Sequence, residues 1–209
     1  MFWLDDEELQ RNFSSSTSSP RFAKTHVPAQ LMPKSAFDEK CKMILALRDP
    51  KDVVVSYFHF YAKHPDDFAQ FPGSFSEFLS MFIDGYIHWG DWTNHTNGWW
   101  QYSKQQNILP VFYEDNKHKP QQVIQQIANY IGKPVSSQEA ALIAQVTSFE
   151  KVKERKTSSF AEMFYRKGET GDWRNYFSEE EKKKFDEWLN ENIQDQELRK
   201  RFLDVDLRE

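Results

Sequence analysis

Apolar residues in this chain recur with two periods, and the switches between them outline its elements. Met43-Ile44-Leu45-Ala46-Leu47 is a continuous apolar run that stops at Arg48-Asp49-Pro50. A run of this length, apolar at every position, predicts a strand buried on both faces, as at the centre of a parallel sheet. Asp49 can cap and Pro50 can take the first helical position, so a helix begins at once. Val53, Val54, Tyr57, Phe58 and Tyr61 make its apolar stripe. Strand, tight turn and helix place Arg48 at the carboxyl end of a strand, where open α/β sheets bind ligands. A second strand is predicted over 108–113, followed by Glu114-Asp115 and a helix from Pro120 with Val123, Ile124, Ile127 and Ile131 inward. Gly132 and Pro134 stop that helix. Ser136 with Glu139, and Ser178 with Glu181, fit capping boxes. The first opens a helix through Ala141 to Val146, the second a helix burying Phe185, Trp188 and Leu189. The polar run Ser14 to Pro20 reads as an exposed loop. Strands alternating with helices predict an α/β layer fold with few strands, and no internal repeat is present.

Length and composition narrow the classes. A chain of 209 residues favours one domain. Its net charge of −5 argues against a general nucleic-acid binder. Eighteen Phe, 8 Tyr and 7 Trp are enough for a sizeable core. The single cysteine, Cys41, excludes an internal disulfide framework and a zinc site built on several thiolates. No apolar run is long enough to span a bilayer, and the first eight residues are acidic where a secretory signal is basic. These features lead us to expect a soluble cytoplasmic chain with no membrane partner. Charge is uneven: residues 151–167 hold six basic and two acidic side chains, a candidate anion site within an acidic chain.

Some residues have a chemical case of their own. Arg48 presents a rigid fork of donors suited to phosphate beside the free N–H groups of a helix start, and Ser56 lies further along the same helix. Arg166 and Lys167 followed by Gly168 can wrap an anion with side chains and close backbone approach. His26 is a side chain that titrates near neutral pH, as a general base requires. A nucleotide kinase of the P-loop type needs a Gly-x-x-x-x-Gly-Lys-Ser/Thr run, and the sequence has none.

Three segments together resemble the cytosolic sulfotransferases, which move a sulfuryl group from 3′-phosphoadenosine 5′-phosphosulfate (PAPS) to a hydroxyl or amine. They are Lys24-Thr25-His26-Val27-Pro28, the stretch from Leu47 to Phe60, and Arg166-Lys167-Gly168-Glu169-Thr170-Gly171-Asp172-Trp173-Arg174-Asn175. Phe112-Tyr113-Glu114-Asp115 and Thr147-Ser148-Phe149-Glu150 add to the match, which runs from about residue 19 to about residue 190. The resemblance implies a P-loop-NTPase-like, three-layer α/β fold with a central parallel sheet. It implies His26 as catalytic base, with Lys24 beside the sulfonate. Arg48, Ser56, Arg166, Lys167 and Gly168 would hold the 3′-phosphate, while Tyr113, Thr147 and Phe149 would contact the adenosine. PAPS would be the co-substrate, with no metal. Tyr86, Trp89, Trp92, Trp99, Trp100 and His95 fall where the family lines or flanks a pocket for a phenol, steroid, alcohol or amine.

The pattern also departs from the family. No Tyr-Pro-Lys-Ser-Gly-Thr-like loop for the 5′-phosphosulfate is present; Pro33-Lys34-Ser35 is followed by Ala36-Phe37, and every glycine lies at position 73 or later. The expectation is a flexible segment over 1–18 and, over 19–209, the C-terminal two-thirds of a sulfotransferase domain truncated at its N-terminus. The alternative is a non-catalytic, nucleotide-binding or regulatory protein on the same scaffold. Ser178-Glu179 and Lys183 replace Thr-Val and Glu of the family's dimer segment, which argues against a homodimer through it.

Overall fold

The computed structural model describes residues 2–3, 20–37, 41–63, 71–105, 107–155 and 165–203. The serine-rich run, and the expected flexible segment apart from Phe2 and Trp3, lie outside them. Strand β1 (Phe2–Trp3) pairs in parallel with β2 (Ala23–Lys24). Single-turn 3-10 helices follow at Ala29–Leu31 and Lys34–Phe37. Strand β3 (Met43–Leu47) leads into helix α1 (Pro50–Lys63), with both boundaries where the sequence predicts them. Helices α2 (Phe75–Ile83) and α3 (Trp92–Gln105) carry the chain back to β4 (Ile108–Phe112), which pairs in parallel with β3 from Met43↔Ile108 to Leu47↔Phe112. Short α4 (Tyr113–His118) starts at once, so Tyr113 opens a helix rather than closing a strand. Then come α5 (Pro120–Tyr130), α6 (Ser137–Val146) and α7 (Phe149–Glu154), a 3-10 turn at Asp172–Asn175, α8 (Glu179–Asn192) and α9 (Gln196–Leu203).

Local signals acted as read. Asp49 Oδ1 accepts the Lys51 N–H at 2.8 Å, capping α1. Both serine–glutamate capping boxes form, and a third closes at Ser74 and Glu77. Gly132, at φ +75°, takes the left-handed position after α5, where the Lys133 N–H returns to the Ala128 carbonyl at 2.8 Å. Ile131, expected inward, is 40% exposed, because it is already the residue that ends the helix.

The main core gathers Leu47, Val54 and Tyr61 with Phe78, Phe82, Trp100, Phe185, Leu189, Ile193 and Phe202. A smaller core joins Ala29, Trp99 and Ile108. Strand β3 departs from its expected double burial: Met43, Leu45 and Leu47 face these cores, whereas Ile44 and Ala46 are exposed. Among the described residues nothing covers that second face. A run apolar at every position cannot reveal which of its two sides is covered.

Candidate functional site

Two places hold the residues singled out above. The first is the corner where β3 and β4 end. The Asp49 N–H donates to Glu114 Oε1 at 2.8 Å, which ties the start of α1 to the first turn of α4. Arg48 lies with its guanidinium 4.6 Å from the centre of the Tyr113 ring. Its Nη2 donates to the Glu169 carbonyl at 3.0 Å and stands 3.7 Å from Asp52 Oδ2. Asp52, one turn into α1 and fully buried, accepts the Gly171 N–H at 2.7 Å and the Trp173 N–H at 3.1 Å. A glycine-containing loop from late in the chain is thereby stitched to the helix that follows β3.

Between those two N–H groups lies Asp172. Its carboxylate accepts from Arg166 Nη2 at 2.5 Å, Lys167 Nζ at 2.7 Å and Asn175 Nδ2 at 2.8 Å. Burial alone would raise its pKa, but the bonds from Lys167, Arg166 and Asn175 outweigh it and hold the group down at about 2. Gly168 has φ +70°, and a Cβ there would stand 2.3 Å from the Phe149 ring. The ring therefore lies flat against a loop that has no side chain at that point. Phe149 also meets Tyr165 edge to face, with centroids 5.9 Å apart. Thr147 precedes it, closing α6 by donating its hydroxyl to the Ile143 carbonyl at 2.7 Å. Ser56 is half-buried on α1, about two turns beyond Arg48.

Two further charged groups are buried here. Lys51 Nζ meets Asp186 Oδ1 at 2.6 Å and stands 5.2 Å from the Trp173 ring. Asp49 is pushed up to about 7, chiefly by burial, with the nearby Lys51 charge opposing the shift. Arg48 Nε is buried and, among the described residues, has no hydrogen-bond partner.

The second place is the strap 24–31. His26 stacks on Trp89 with centroids 4.4 Å apart, and its carbonyl is 3.0 Å from His95 Nε2. Trp99 Nε1 donates to the Val27 carbonyl at 3.1 Å. Burial lowers the pKa of His95. Trp89 has φ +77°, a left-handed backbone that costs a non-glycine residue about 1–2 kcal/mol. Gly98, inside α3, faces Gln30 so closely that a Cβ would stand 2.4 Å from its Nε2. A cavity of about 360 Å³ opens beside the strap, walled by Pro28, Gln30, Trp89, Asn94 and His95 among others.

The corner gathers Arg48, Tyr113, Phe149, Arg166, Lys167 and Gly168 from four separate parts of the chain. The strap carries Lys24 and His26. The expected aromatic cluster divides: Trp99 and Trp100 are buried, Trp92 packs against the main core, and Trp89 and Tyr86 are exposed. Of the basic stretch, Arg166 and Lys167 reach the corner, Lys151 pairs with Glu154 on α7, and residues 156–164 lie outside the described set. Asp52 and Asp172 were missed by reading for cations alone. The signal for them was an acid four residues after Arg48 and another directly after Gly171.

The corner sets Arg48 and a two-cation glycine loop at the carboxyl end of a parallel β-pair, the place where open α/β folds hold their ligands. The family described as "Sulfotransferase domain" matches residues 2–197, and this chain belongs to it. It is 38% identical over 184 residues to mouse Sulfotransferase 1A1, covering 81% of this chain and 62% of that protein. Among solved structures it is similar to mouse sulfotransferase SULT7A1 complexed with PAP, with TM-score 0.86, 28% identity, and coverage of 94% of this chain and 74% of that one. It is also similar to retinol dehydratase in a complex with retinol and PAP, with TM-score 0.79, 30% identity, and coverage of 90% and 57%. The chain thus spans about three-fifths of the length of the curated relatives it matches. The sulfotransferase fold expected from the sequence is the fold observed. Among the described residues no helix is long and apolar enough to cross a membrane, and no group of side chains could hold a metal ion.

Proposed function

We propose that this chain binds PAPS and serves sulfuryl transfer to a hydroxyl or amine of a small acceptor. The observation that carries the reading is the corner itself. Arg48, Arg166 and Lys167 come from segments more than a hundred residues apart, and Arg48 bonds the very loop that carries the other two. The donor set fits a 3′-phosphate: a guanidinium fork with one buried N–H still unpartnered, and two further cations on a loop that packs its glycine against the Phe149 ring. Tyr113 and Phe149 would supply ring surfaces for the adenosine, with Thr147 at its edge, and Ser56 on the same helix as Asp52 would add a hydroxyl to the phosphate. When bound, PAPS supplies the sulfuryl group and the leaving phosphate.

His26 takes the proton of the acceptor hydroxyl as its oxygen bonds to sulfur and the bond from sulfur to the bridging phosphate oxygen breaks. Lys24 offsets the negative charge that develops around the sulfonate. The sequence contains no counterpart of the family's 5′-phosphosulfate loop, so no step is assigned to it here. The acceptor belongs to the small phenols, steroids, alcohols or amines, and its site lies at the strap, beside Trp89 and His95. Retinol occupies one related structure and androsterone another, which supports an acceptor of that size. The cytoplasm is the proposed compartment, and no homodimer is proposed through 174–183.

Incubation with PAPS and a phenol panel, read by mass spectrometry, tests the reading. Sulfonated product that vanishes in His26→Ala is expected. Nucleotide binding without product would leave a binding role, and no binding of adenosine 3′,5′-bisphosphate would end the proposal.

A further inference from the structure

The corner holds two buried carboxylates that face cations rather than any ligand, and the phosphate reading gives them no task. We propose that Asp172 is the positioning residue of the cation clamp, holding Arg166 and Lys167 side by side for the 3′-phosphate while Asp52 fixes Asp172 to α1. The inference rests on the PAPS reading above and adds residues that do not touch the ligand.

Geometry assigns the roles. The Asp172 side chain is 2% exposed, whereas those of Arg166 and Lys167 are 21% and 43% exposed. The carboxylate therefore lies on the protein side of both cations and leaves their outward faces open. Each oxygen takes one cation: Oδ2 the Arg166 guanidinium and Oδ1 the Lys167 ammonium, with Asn175 also on Oδ1. Arg166 keeps further N–H groups and Lys167 two more protons, so both remain able to donate to an anion. The carboxylate cannot drift, because the N–H groups on either side of it end on the two oxygens of Asp52. Asp52 belongs to the same helical turn that follows Arg48, which it faces at 3.7 Å. One rigid assembly thus spaces Arg48 from the Arg166–Lys167 pair. A clamp of long side chains set in advance loses less freedom when the phosphate arrives.

The test compares two probes by titration calorimetry: adenosine 3′,5′-bisphosphate and adenosine 5′-monophosphate, which lacks the 3′-phosphate. Wild type is expected to prefer the bisphosphate. Asp172→Asn is expected to shrink that preference about tenfold and leave monophosphate affinity unchanged. Asp172→Glu retains the charge but displaces it by one methylene, and the same direction of change is expected. Arg166→Ala sets the scale of losing one cation outright. Equal losses for both probes in the Asp172 variants would make the residue a structural support and overturn the inference. A preference unchanged or increased would overturn it as well, making Asp172 a bystander or a competitor of the phosphate. If wild type itself shows no preference while Arg166→Ala behaves like wild type, the phosphate clamp falls and this inference falls with it. That result is separate from the case in which wild type discriminates and only the aspartate variants are silent.

Discussion

The corner and the strap are held by opposite means. At the corner, charged groups are buried and most are answered: Asp52 by two backbone N–H groups, Asp172 by three side-chain donors, Lys51 by Asp186, with Arg48 Nε left over. At the strap, rings and neutral carbonyls hold the chain, with His26 on Trp89 and two side-chain nitrogens reaching the backbone oxygens of residues 26 and 27. Buried charge is fixed in position because moving it costs much. Ring stacking is shallow and tolerates a shift. On the proposed function, the half held by buried charge is the one that would meet a fixed phosphate geometry, and the half held by rings is the one that would meet the acceptor.

Four perturbations bear on this contrast, from the largest effect to the smallest. Asp52→Ala removes the acceptor of two buried N–H groups. At about 1.5–3 kcal/mol for each bond to a charged group, it should lower stability by about 3–6 kcal/mol in urea unfolding. A loss below about 1 kcal/mol would show the corner to be as soft as the strap. Gly168→Ala drives a Cβ into the Phe149 ring at a left-handed residue, and about 2–4 kcal/mol is expected. Phe149→Ala in the same chain should recover part of that loss, leaving the backbone strain, and strict additivity would refute the clash.

The next perturbation is pH. The Asp172 pKa is depressed from 3.8 to about 2, so its contribution is present above pH 4 and is lost as pH falls toward 2. The Asp49 pKa is raised from 3.8 to about 7, so the folded state holds a proton that the unfolded state has lost, and stability declines as pH rises from about 4 to about 7. Asp49→Asn, whose Oδ1 can still accept the Lys51 N–H, should flatten that decline in thermal unfolding between pH 4 and 8. An unchanged slope would show that Asp49 is not its source. Last, Trp89→Gly relieves a left-handed tryptophan while losing its stack on His26. Stability should change by less than about 1 kcal/mol, and a larger loss would mean the strap is held as firmly as the corner.

Legibility in the sequence followed the range of each interaction. The start of α1 at Pro50 and the two predicted capping boxes were readable because donor and acceptor lie within three residues of each other. Arg48, Arg166 and Lys167 were readable as a set only through the resemblance of three short segments to the sulfotransferase family. Asp52 was not, because a carboxylate on a helix looks the same whether water or a backbone N–H more than a hundred residues away donates to it. Asp172 has its partners within six residues, but the order of charges in a loop does not show which of them pair. The exposed second face of β3 was hidden for a related reason: apolarity reports what a position tolerates, not what lies against it. The left-handed φ of Trp89 has no sequence signal at all, since the residue type argues against it.

The stitching of Asp52 to Gly171 and Trp173 also bears on the order of assembly. Residues 52 and 171 are separated by most of a domain, and a contact of that span requires a long loop to close before it returns any stabilisation. Helices capped by their own neighbours can form early. The corner cannot exist until residue 173 is in place, so on a growing chain it forms after the strands and helices that precede it, and the main core waits longer still for Phe185 to Phe202. The part of the tryptophan fluorescence change that Trp173→Phe removes should therefore lag behind the appearance of helix during refolding, and the proposed nucleotide binding should emerge with that slower signal.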